Sequence, residues 1–319
     1  MNMTICNAHD ALLNGANDCL LAAVPFYYSF KPSLIPDVPD DYIAVAAPIL
    51  AYWSLSLVFH LLDISGWKWL DKYRIHDSEE VKSRNRATRS QVIWAVLFQQ
   101  LLQTLLGLFW LANQETTTHH VEEMQTLARH VLPTVQWVVG VQNVPAVLGD
   151  LVYYLYWWAI PTVQFIIAMF IIDTWQYFLH RLMHINKFLY RQFHSVHHRL
   201  YVPYAFGSLY NHPVEGFVLD TLGAALAELL TCMTTRQATL LFSFSTFKTV
   251  DDHCGYSLPF DPFQLLTGNN ADYHDIHHQA IGIKSNFSQP FFVHWDTILG
   301  TRMTRQDIEL RKKKQQKSD

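Results

Sequence analysis

The stretch LVYYLYWWAIPTVQFIIAMFIIDTWQYFLHRLMH, residues 151–184, runs without a break from an apolar segment into His180 and His184. Its first part, residues 151–172, carries no charged side chain and is long enough to cross a hydrocarbon core of about 30 Å as a helix. Residues 42–62 and 92–112 have a similar length and composition. The sequence therefore predicts three membrane-spanning helices, the third of which leads directly into a histidine pair.

The overall composition agrees with a membrane protein. Half of the 319 residues are hydrophobic, and the formal net charge is −4. Basic residues are scattered rather than interleaved with aromatic ones, so no nucleic-acid partner is expected. We expect a lead-in over residues 1–41, spans and loops over 42–172, a catalytic histidine-rich region over 173–300 and a basic tail over 301–319.

Three tight clusters hold eight of the 17 histidines. They read HRLMH from His180, HSVHH from His194 and HDIHH from His274. On a helix, residues three and four apart share a face, so each cluster is expected to turn its rings to one side. His253 is the candidate for a ninth ligand. The predicted metal ligands are His180, His184, His194, His197, His198, His253, His274, His277 and His278.

So many neutral imidazoles suit two closely held metal ions. Spacing alone does not separate iron, zinc and copper. Oxidation of inert C–H bonds would require a redox metal and hence iron, whereas hydrolysis would permit zinc. The expected fold is an all-α, multi-pass membrane bundle whose cytosolic-face helical cap carries a histidine-rich dimetal site.

The charge of the loops predicts which side of the membrane each one faces. Residues 66–91 contain seven Lys and Arg residues, whereas residues 113–150 contain only Arg129. By the positive-inside rule, the first loop is cytosolic and the second is lumenal. The third span then returns the chain to the cytosolic face just before the first histidine cluster.

A further apolar segment, residues 217–247, must not reverse this orientation. If it crossed the membrane once, the third histidine cluster would lie on the opposite side from the first two. The segment is interrupted by polar residues around Arg236, and each half is short for a full span. We therefore predict a helical hairpin that enters the membrane and returns, which also leaves the basic tail in the cytosol.

Three further residues form the candidate catalytic set. Asp173 lies seven residues before the first cluster, on the same helix face, where it could accept a hydrogen bond from a ligand imidazole. His212 either orients a ligand or caps the helix that enters the hairpin, and the sequence leaves both roles open. Asp252 directly precedes the candidate ninth ligand. Asp272 and Asp275 either support the third cluster in the same way or are exposed loop charges.

The text around the clusters resembles one known family. The motifs are DTWQYFLHRLMH from Asp173, FHSVHH from Phe193, TVDDHCGY from Thr249, YHDIHH from Tyr273 and GIKSNF from Gly282. In this order they are similar to the fatty acid hydroxylase and sterol desaturase superfamily, and most similar to its sphinganine 4-hydroxylase branch. The resemblance covers roughly residues 40–300.

The resemblance implies a monooxygenase of the endoplasmic reticulum membrane with its active site facing the cytosol. It implies two iron ions (zinc could replace them in a purified sample), O2, and electrons from NADPH or NADH through a reductase and cytochrome b5. The implied reaction is hydroxylation at C4 of a long-chain sphingoid base or ceramide, which gives phytosphingosine or phytoceramide.

Other interpretations of the same residues stay open. A related sterol or fatty acid hydroxylase or desaturase would share every cluster. A histidine-rich metal transporter would need ligands deep within several spans, whereas these clusters mostly follow the spans. A zinc-stabilised scaffold without catalysis would keep the same histidine spacing.

Overall fold

The computed structural model describes Pro25, residues 33–111 and residues 119–316. Most of the predicted lead-in over residues 1–41 and the last three residues of the tail lie outside the described residues. The described part is built from helices and has no β-strand, only three isolated β-bridges. The predicted all-α fold class is therefore confirmed.

The α-helices of this part, in chain order, are α1 Asp40–Ile64, α2 Lys68–Asp71, α3 Ser78–Arg84, α4 Arg89–Leu111, α5 His120–Val139, α6 Val144–Tyr154, α7 Ile160–Ile185, α8 Lys187–Gln192, α9 Pro213–Gly216, α10 Leu222–Thr231, α11 Thr235–Asp252, α12 Pro262–Leu266, α13 Ala271–His278, α14 His294–Ile298 and α15 Arg305–Gln315. The π turns Leu155–Ala159 and Phe217–Thr221 join α6 to α7 and α9 to α10. A 3₁₀ helix, His194–Arg199, carries the second histidine cluster.

Three helical segments are long and apolar enough to cross a membrane: α1, α4 and the continuous stretch Val141–Ile185. In each segment, at most 28% of the most apolar 18-residue stretch is buried inside the protein. Large apolar side chains such as Leu50, Trp94 and Phe109 are exposed. Such broad apolar surfaces suit contact with lipid, so the three helices fit a membrane protein. They include the three predicted spans, except for residue 112, which lies outside the described residues, and the third segment extends well beyond the predicted 151–172 at both ends.

The segment predicted as a lumenal loop contains a long helix. Within residues 113–150, the structure has α5 and the first half of α6. Met124, Ala128 and Val135 of α5 pack with Leu148 of α6 in one buried apolar cluster. Because α5 carries many polar residues, it lacks the continuous apolar run of a span. Its repeat of apolar residues every three to four positions could nevertheless have revealed the helix.

The apolar segment after the second histidine cluster forms two helical arms. The first arm runs through α9, a π turn and α10, and the second arm is α11. α10 packs on α7, and α11 packs on α1. At the turn between the arms, the carbonyl of Thr231 accepts a hydrogen bond from Gln164 of α7 (2.9 Å), and Arg236 pairs with Asp40 of α1 (2.6 Å). The turn thus lies beside the beginnings of α1 and α7. The chain then returns to the histidines. That the two arms enter the membrane stays a prediction.

The basic tail begins as a helix that packs on the helical cap, by which we mean the described residues from 186 onward without the two arms. Arg305 of α15 pairs with Asp272 and Asp275 of α13. Ile308 lies in a small buried cluster with Ile276. The start of the tail is therefore fixed to the helix that carries the third histidine cluster.

Candidate metal centre

The nine predicted histidines form two adjacent groups. Within each group, one ligand atom from each residue lies within 4.8 Å of those of all the others. The first group contains His180, His184, His194, His198 and His277, and the second contains His197, His253, His274 and His278. The ring centroids of His198 and His278, one from each group, are 4.7 Å apart. Each group offers enough nitrogen ligands for one ion.

The second and third clusters are each divided between the two groups. His194 and His198 enter the first group, while His197 enters the second. The cluster that begins at His274 divides in the same way, with His277 apart from the other two. The expectation that each cluster turns all its rings to one side is therefore wrong for these two clusters. Residues four apart share a direction, and the residue between them turns to the neighbouring group.

The loop after α13 explains how the third cluster is held. The side chain of Asn270 caps the N-terminus of α13. After the helix ends, a Cβ at Gly282 would lie 1.8 Å from the carbonyl oxygen of Ile276, so only glycine lets the chain pass this closely. The passing chain brings the carbonyl of Ser285 to Nδ1 of His277 at 2.8 Å.

Backbone carbonyls determine which nitrogen of these rings carries the proton. Nδ1 of His180 donates to the carbonyl of Phe287 at 2.8 Å, and Nδ1 of His278 donates to that of Leu200 at 2.7 Å. The same arrangement holds for His197 with Tyr210, His253 with Thr249 and His277 with Ser285. Because a carbonyl can only accept, these rings are protonated on Nδ1 and present the lone pair of Nε2 to the interior.

The Nε2 atoms face one another at separations that a cation would make favourable. Nε2 of His180 lies 3.1 Å from that of His194 and 3.2 Å from that of His184. Nε2 of His278 lies 3.0 Å from that of His274. Lone pairs this close repel in a buried site unless a positive charge lies between them. Ligands about 2.1 Å from one ion and at right angles are about 3 Å apart, so the residues fit metal ions.

Burial favours the neutral form of these imidazoles. Burial lowers the pKa of His253 to about 4, although the carbonyl of Thr249 partly opposes this shift. Burial, and then neighbouring histidines, lower the pKa well below its usual range for His194, His197, His198 and His274. Because a metal binds the neutral ring, the site is ready for an ion at neutral pH.

Asp173 holds a loop rather than a histidine. Its buried carboxylate accepts hydrogen bonds from the backbone amides of Phe291 (3.0 Å) and Phe292 (2.6 Å). These residues follow Phe287, whose carbonyl orients His180. Its hydrogen-bond partners among the described residues thus differ from the ligand imidazole that the sequence predicted.

His212 and Asp252, the other two candidate catalytic residues, also have partners outside the two groups. Nδ1 of His212 accepts a hydrogen bond from the amide of Val214 at 3.2 Å and so caps α9. Of the two roles predicted for His212, the structure shows the capping of the helix N-terminus. Asp252 pairs with the buried Lys248. A direct catalytic role of Asp173, His212 or Asp252 stays a prediction.

The carboxylate that does contact a ligand histidine is Glu215. Its Oε1 lies 2.5 Å from Nδ1 of His194, and both side chains are buried. A carboxylate in this position fixes the tautomer of the ring and strengthens it as a metal ligand. We did not identify Glu215 from the sequence. The signal that could have found it is a single carboxylate next to an apolar run, because such a group requires a buried partner.

His76 ties an earlier loop to the helical cap. Its Nε2 lies 2.8 Å from Oδ1 of Asp275, and its Nδ1 lies 2.8 Å from Oε2 of Glu80. Asp275 also pairs with Arg305. Asp275 and Asp272 therefore bind residues that hold the cap together, and neither is an isolated loop charge.

Two cavities meet beside the second histidine group. The smaller has a volume of about 30 Å³, and His197, His253 and His274 lie in its wall. The larger has a volume of about 400 Å³ and lies between α1, α4, α7 and the two arms, mostly among apolar side chains. The residues that line both are Gln176, Asp220 and Thr249. An apolar chain in the large cavity would therefore have one end beside the histidines.

Known proteins are similar to this chain over most of its length. Residues 165–301 match the family model for fatty acid hydroxylase. The chain is 48% identical to a sphingolipid C4-hydroxylase of Saccharomyces cerevisiae, over 85% of this chain and 74% of that protein. It is 43% identical to sphinganine C4-monooxygenase 2 of Arabidopsis thaliana, over 83% and 88%. It is 42% identical to a very-long-chain aldehyde decarbonylase of Oryza sativa subsp. indica, over 83% and 90%. No solved structure gives a significant match.

Proposed function

Because this chain belongs to the fatty acid hydroxylase family, we propose that it hydroxylates C4 of sphinganine or dihydroceramide and so forms phytosphingosine or phytoceramide. Relatives that are named for this reaction match most of the chain and support the substrate class. The observation that carries the proposal is the apolar cavity that ends beside His253 and His274. A substrate with a long tail and a small polar head fits this shape.

The histidine groups would hold two iron ions. Iron bound there would activate O2 for attack on a C–H bond that has no acidic or polar activation. The protein would hold the rings of such a site in place through backbone carbonyls and through Glu215. The apolar walls of the large cavity keep water from the tail and hold C4 near the histidines.

We propose that electrons arrive from NADH or NADPH through a reductase and cytochrome b5. This requires the histidines to lie at the cytosolic face, in the membrane of the endoplasmic reticulum. By the positive-inside rule, the seven basic residues between positions 66 and 91 support a cytosolic location of this segment. The segment lies next to the histidines, because the guanidinium of Arg74 lies over the ring of Tyr256, three residues after His253.

The test is product analysis by mass spectrometry, with membranes that contain this protein and lack other C4-hydroxylases. Sphinganine, dihydroceramide, a methylsterol, a fatty acid and a long-chain aldehyde would be supplied separately with NADPH and O2. We expect a hydroxyl at C4 of the sphingoid backbone. Product from only the sterol, the fatty acid or the aldehyde would overturn the proposal.

Two histidine variants separate catalysis from a metal-stabilised scaffold. His274→Ala removes a ring from the second group, whereas His130→Ala removes an exposed ring of α5 that bonds the carbonyl of Thr126. At matched abundance, we expect activity to be lost only in His274→Ala. Equal activity in both variants would contradict a role of the histidine groups in the reaction.

A further inference from the structure

Three carboxylates lie in the wall of the small cavity, and two of them have a strong partner. The three are Glu215, Asp220 and Asp252. Glu215 is bound to a ligand histidine, and Asp252 is paired with Lys248. Among the described residues, Asp220 has a single long hydrogen bond, 3.5 Å from Nε2 of Gln99 to its Oδ2. Asp220 is half-buried, and a carboxylate in a cavity wall with so weak a partner favours a cation or a proton beside it.

The backbone turns Asp220 toward this cavity. Asp220 lies in the π turn Phe217–Thr221, five residues after Glu215. In a regular α-helix, side chains five residues apart point about 140° apart. A π turn, with its i→i+5 hydrogen bonds, brings them closer to one face, and π turns are frequent at functional sites. Glu215 and Asp220 accordingly line the same small cavity.

The position of Asp220 also matches the join between a polar head and an apolar tail. Asp220 lies in the walls of both the small and the large cavity. The large cavity, at about 400 Å³, is near the lower end of the range of about 300–1,000 Å³ that is typical for small-molecule sites. A single hydrocarbon chain suits a cavity of this size.

We propose that Asp220 binds the ammonium group of the free long-chain base, which makes sphinganine a better substrate than dihydroceramide; this rests on the proposed C4 hydroxylation. In sphinganine, the amine is three bonds from C4, so the ammonium group and the reacting carbon share the small space beside the histidines. An ion pair at this half-buried position is stronger than one in bulk water. Dihydroceramide has a neutral amide at the same nitrogen and would leave the carboxylate without a cation.

The experiment compares sphinganine with N-acetylsphinganine, which has the same backbone and no charge on nitrogen. Asp220→Asn keeps the shape of the side chain and removes its charge. Glu228→Gln is the control, because Glu228 is a buried carboxylate of the same arm that lines only the large cavity. Hydroxylation rates in membranes and ligand-induced thermal stabilisation of the purified protein would both be measured.

We expect Asp220→Asn to lower kcat/KM and binding for sphinganine at least about tenfold relative to N-acetylsphinganine, as the loss of a charge-assisted contact predicts. The ratio should stay unchanged in Glu228→Gln. A parallel loss for both ligands, or no change, would overturn the role of Asp220. If the wild type binds sphinganine and hydroxylates neither ligand, the proposed function fails, and the binding ratio still decides the role of Asp220.

Discussion

Glu215 and His194 form a buried pair that joins the first arm of the hairpin to the second histidine cluster. Oε1 of Glu215 lies 2.5 Å from Nδ1 of His194. The remaining oxygen, Oε2, has no hydrogen-bond partner among the described residues. The arm therefore supplies a group that orients a candidate metal ligand, in addition to its contacts with α7.

Removal of this carboxylate should weaken metal binding. In Glu215→Ala, His194 loses the acceptor that fixes its tautomer, and we expect metal affinity to fall about 10–100-fold. The metal affinity of Glu215→Gln should lie between that of Glu215→Ala and that of the wild type, because the amide oxygen can still accept a hydrogen bond from His194. Metal retained after dialysis against a chelator measures the effect. Glu122→Ala, at an exposed position of α5, is the control. Equal retention in Glu215→Ala and this control would contradict the role of Glu215.

Asp173 should contribute mainly to stability. Asp173→Ala leaves the buried amide of Phe291 and the amide of Phe292 without their acceptor, at a cost of about 1–3 kcal/mol for each. We therefore expect a lower unfolding temperature in detergent, and a smaller decrease for Asp173→Asn, which keeps one acceptor. An unchanged unfolding temperature together with lost activity would instead show that Asp173 acts directly in the reaction.

Gly282→Ala should displace the third histidine cluster. A Cβ at this position would lie 1.8 Å from the carbonyl oxygen of Ile276, and backbone on both sides must shift. The shift would move the carbonyl of Ser285 away from His277. We expect metal content and unfolding temperature to decrease together. Ile281→Ala changes the exposed neighbouring side chain and serves as the control. A variant at Gly282 that keeps its full metal content would contradict the close approach.

His76 should make the stability of the cap depend on pH. Burial lowers the pKa of His76, but its bonds to Asp275 and then Glu80 outweigh burial, so the pKa is raised. The folded state therefore holds this proton more tightly than the unfolded state, whose histidine titrates near 6.5. The contribution of His76 is complete below that pH and is lost as the pH rises through the raised value.

The measurement compares the unfolding temperatures of the wild type and of His76→Gln between pH 5.5 and 8.5. The charged groups around His76 are Glu80 and Asp275 and, through these two, Arg84 and Arg305; the amide of Gln279 also lies 3.3 Å from its Nε2. We expect the advantage of the wild type to shrink as the pH rises above about 6.5. An advantage that grows with pH would show that the neutral ring is the stabilising form.

Local patterns predicted the elements, while tertiary contacts decided how the site is assembled. The apolar runs and the histidine spacings identified the spans and eight of the nine histidines in the two groups, because both features depend on neighbours in the sequence. The ninth, His253, belongs to no cluster and was a separate candidate. The division of each HxxHH cluster between two groups could not be predicted in this way. It depends on the carbonyls of residues outside the clusters, such as Tyr210 for His197 and Ser285 for His277.

The roles of the carboxylates were the least accessible from sequence. Asp173 has the correct helical phase for a contact with His180, yet the amides of Phe291 and Phe292 compete for both of its oxygens. Glu215, which contacts His194, lies in the four-residue helix α9, which is too short for a helical repeat in the sequence to indicate the direction of its side chain. The position of a residue in the helical repeat predicts the direction of its side chain, but it does not identify the residue that the side chain contacts.

The most direct test of the metal centre is the number of metal ions bound to each chain, measured on protein that is purified in detergent and supplied with iron. We expect about two ions in the wild type, one for each histidine group, and about one when His274→Ala and His278→Ala together disrupt the second group. No bound ion in the wild type, or the same number in the double variant, would contradict two adjacent histidine sites.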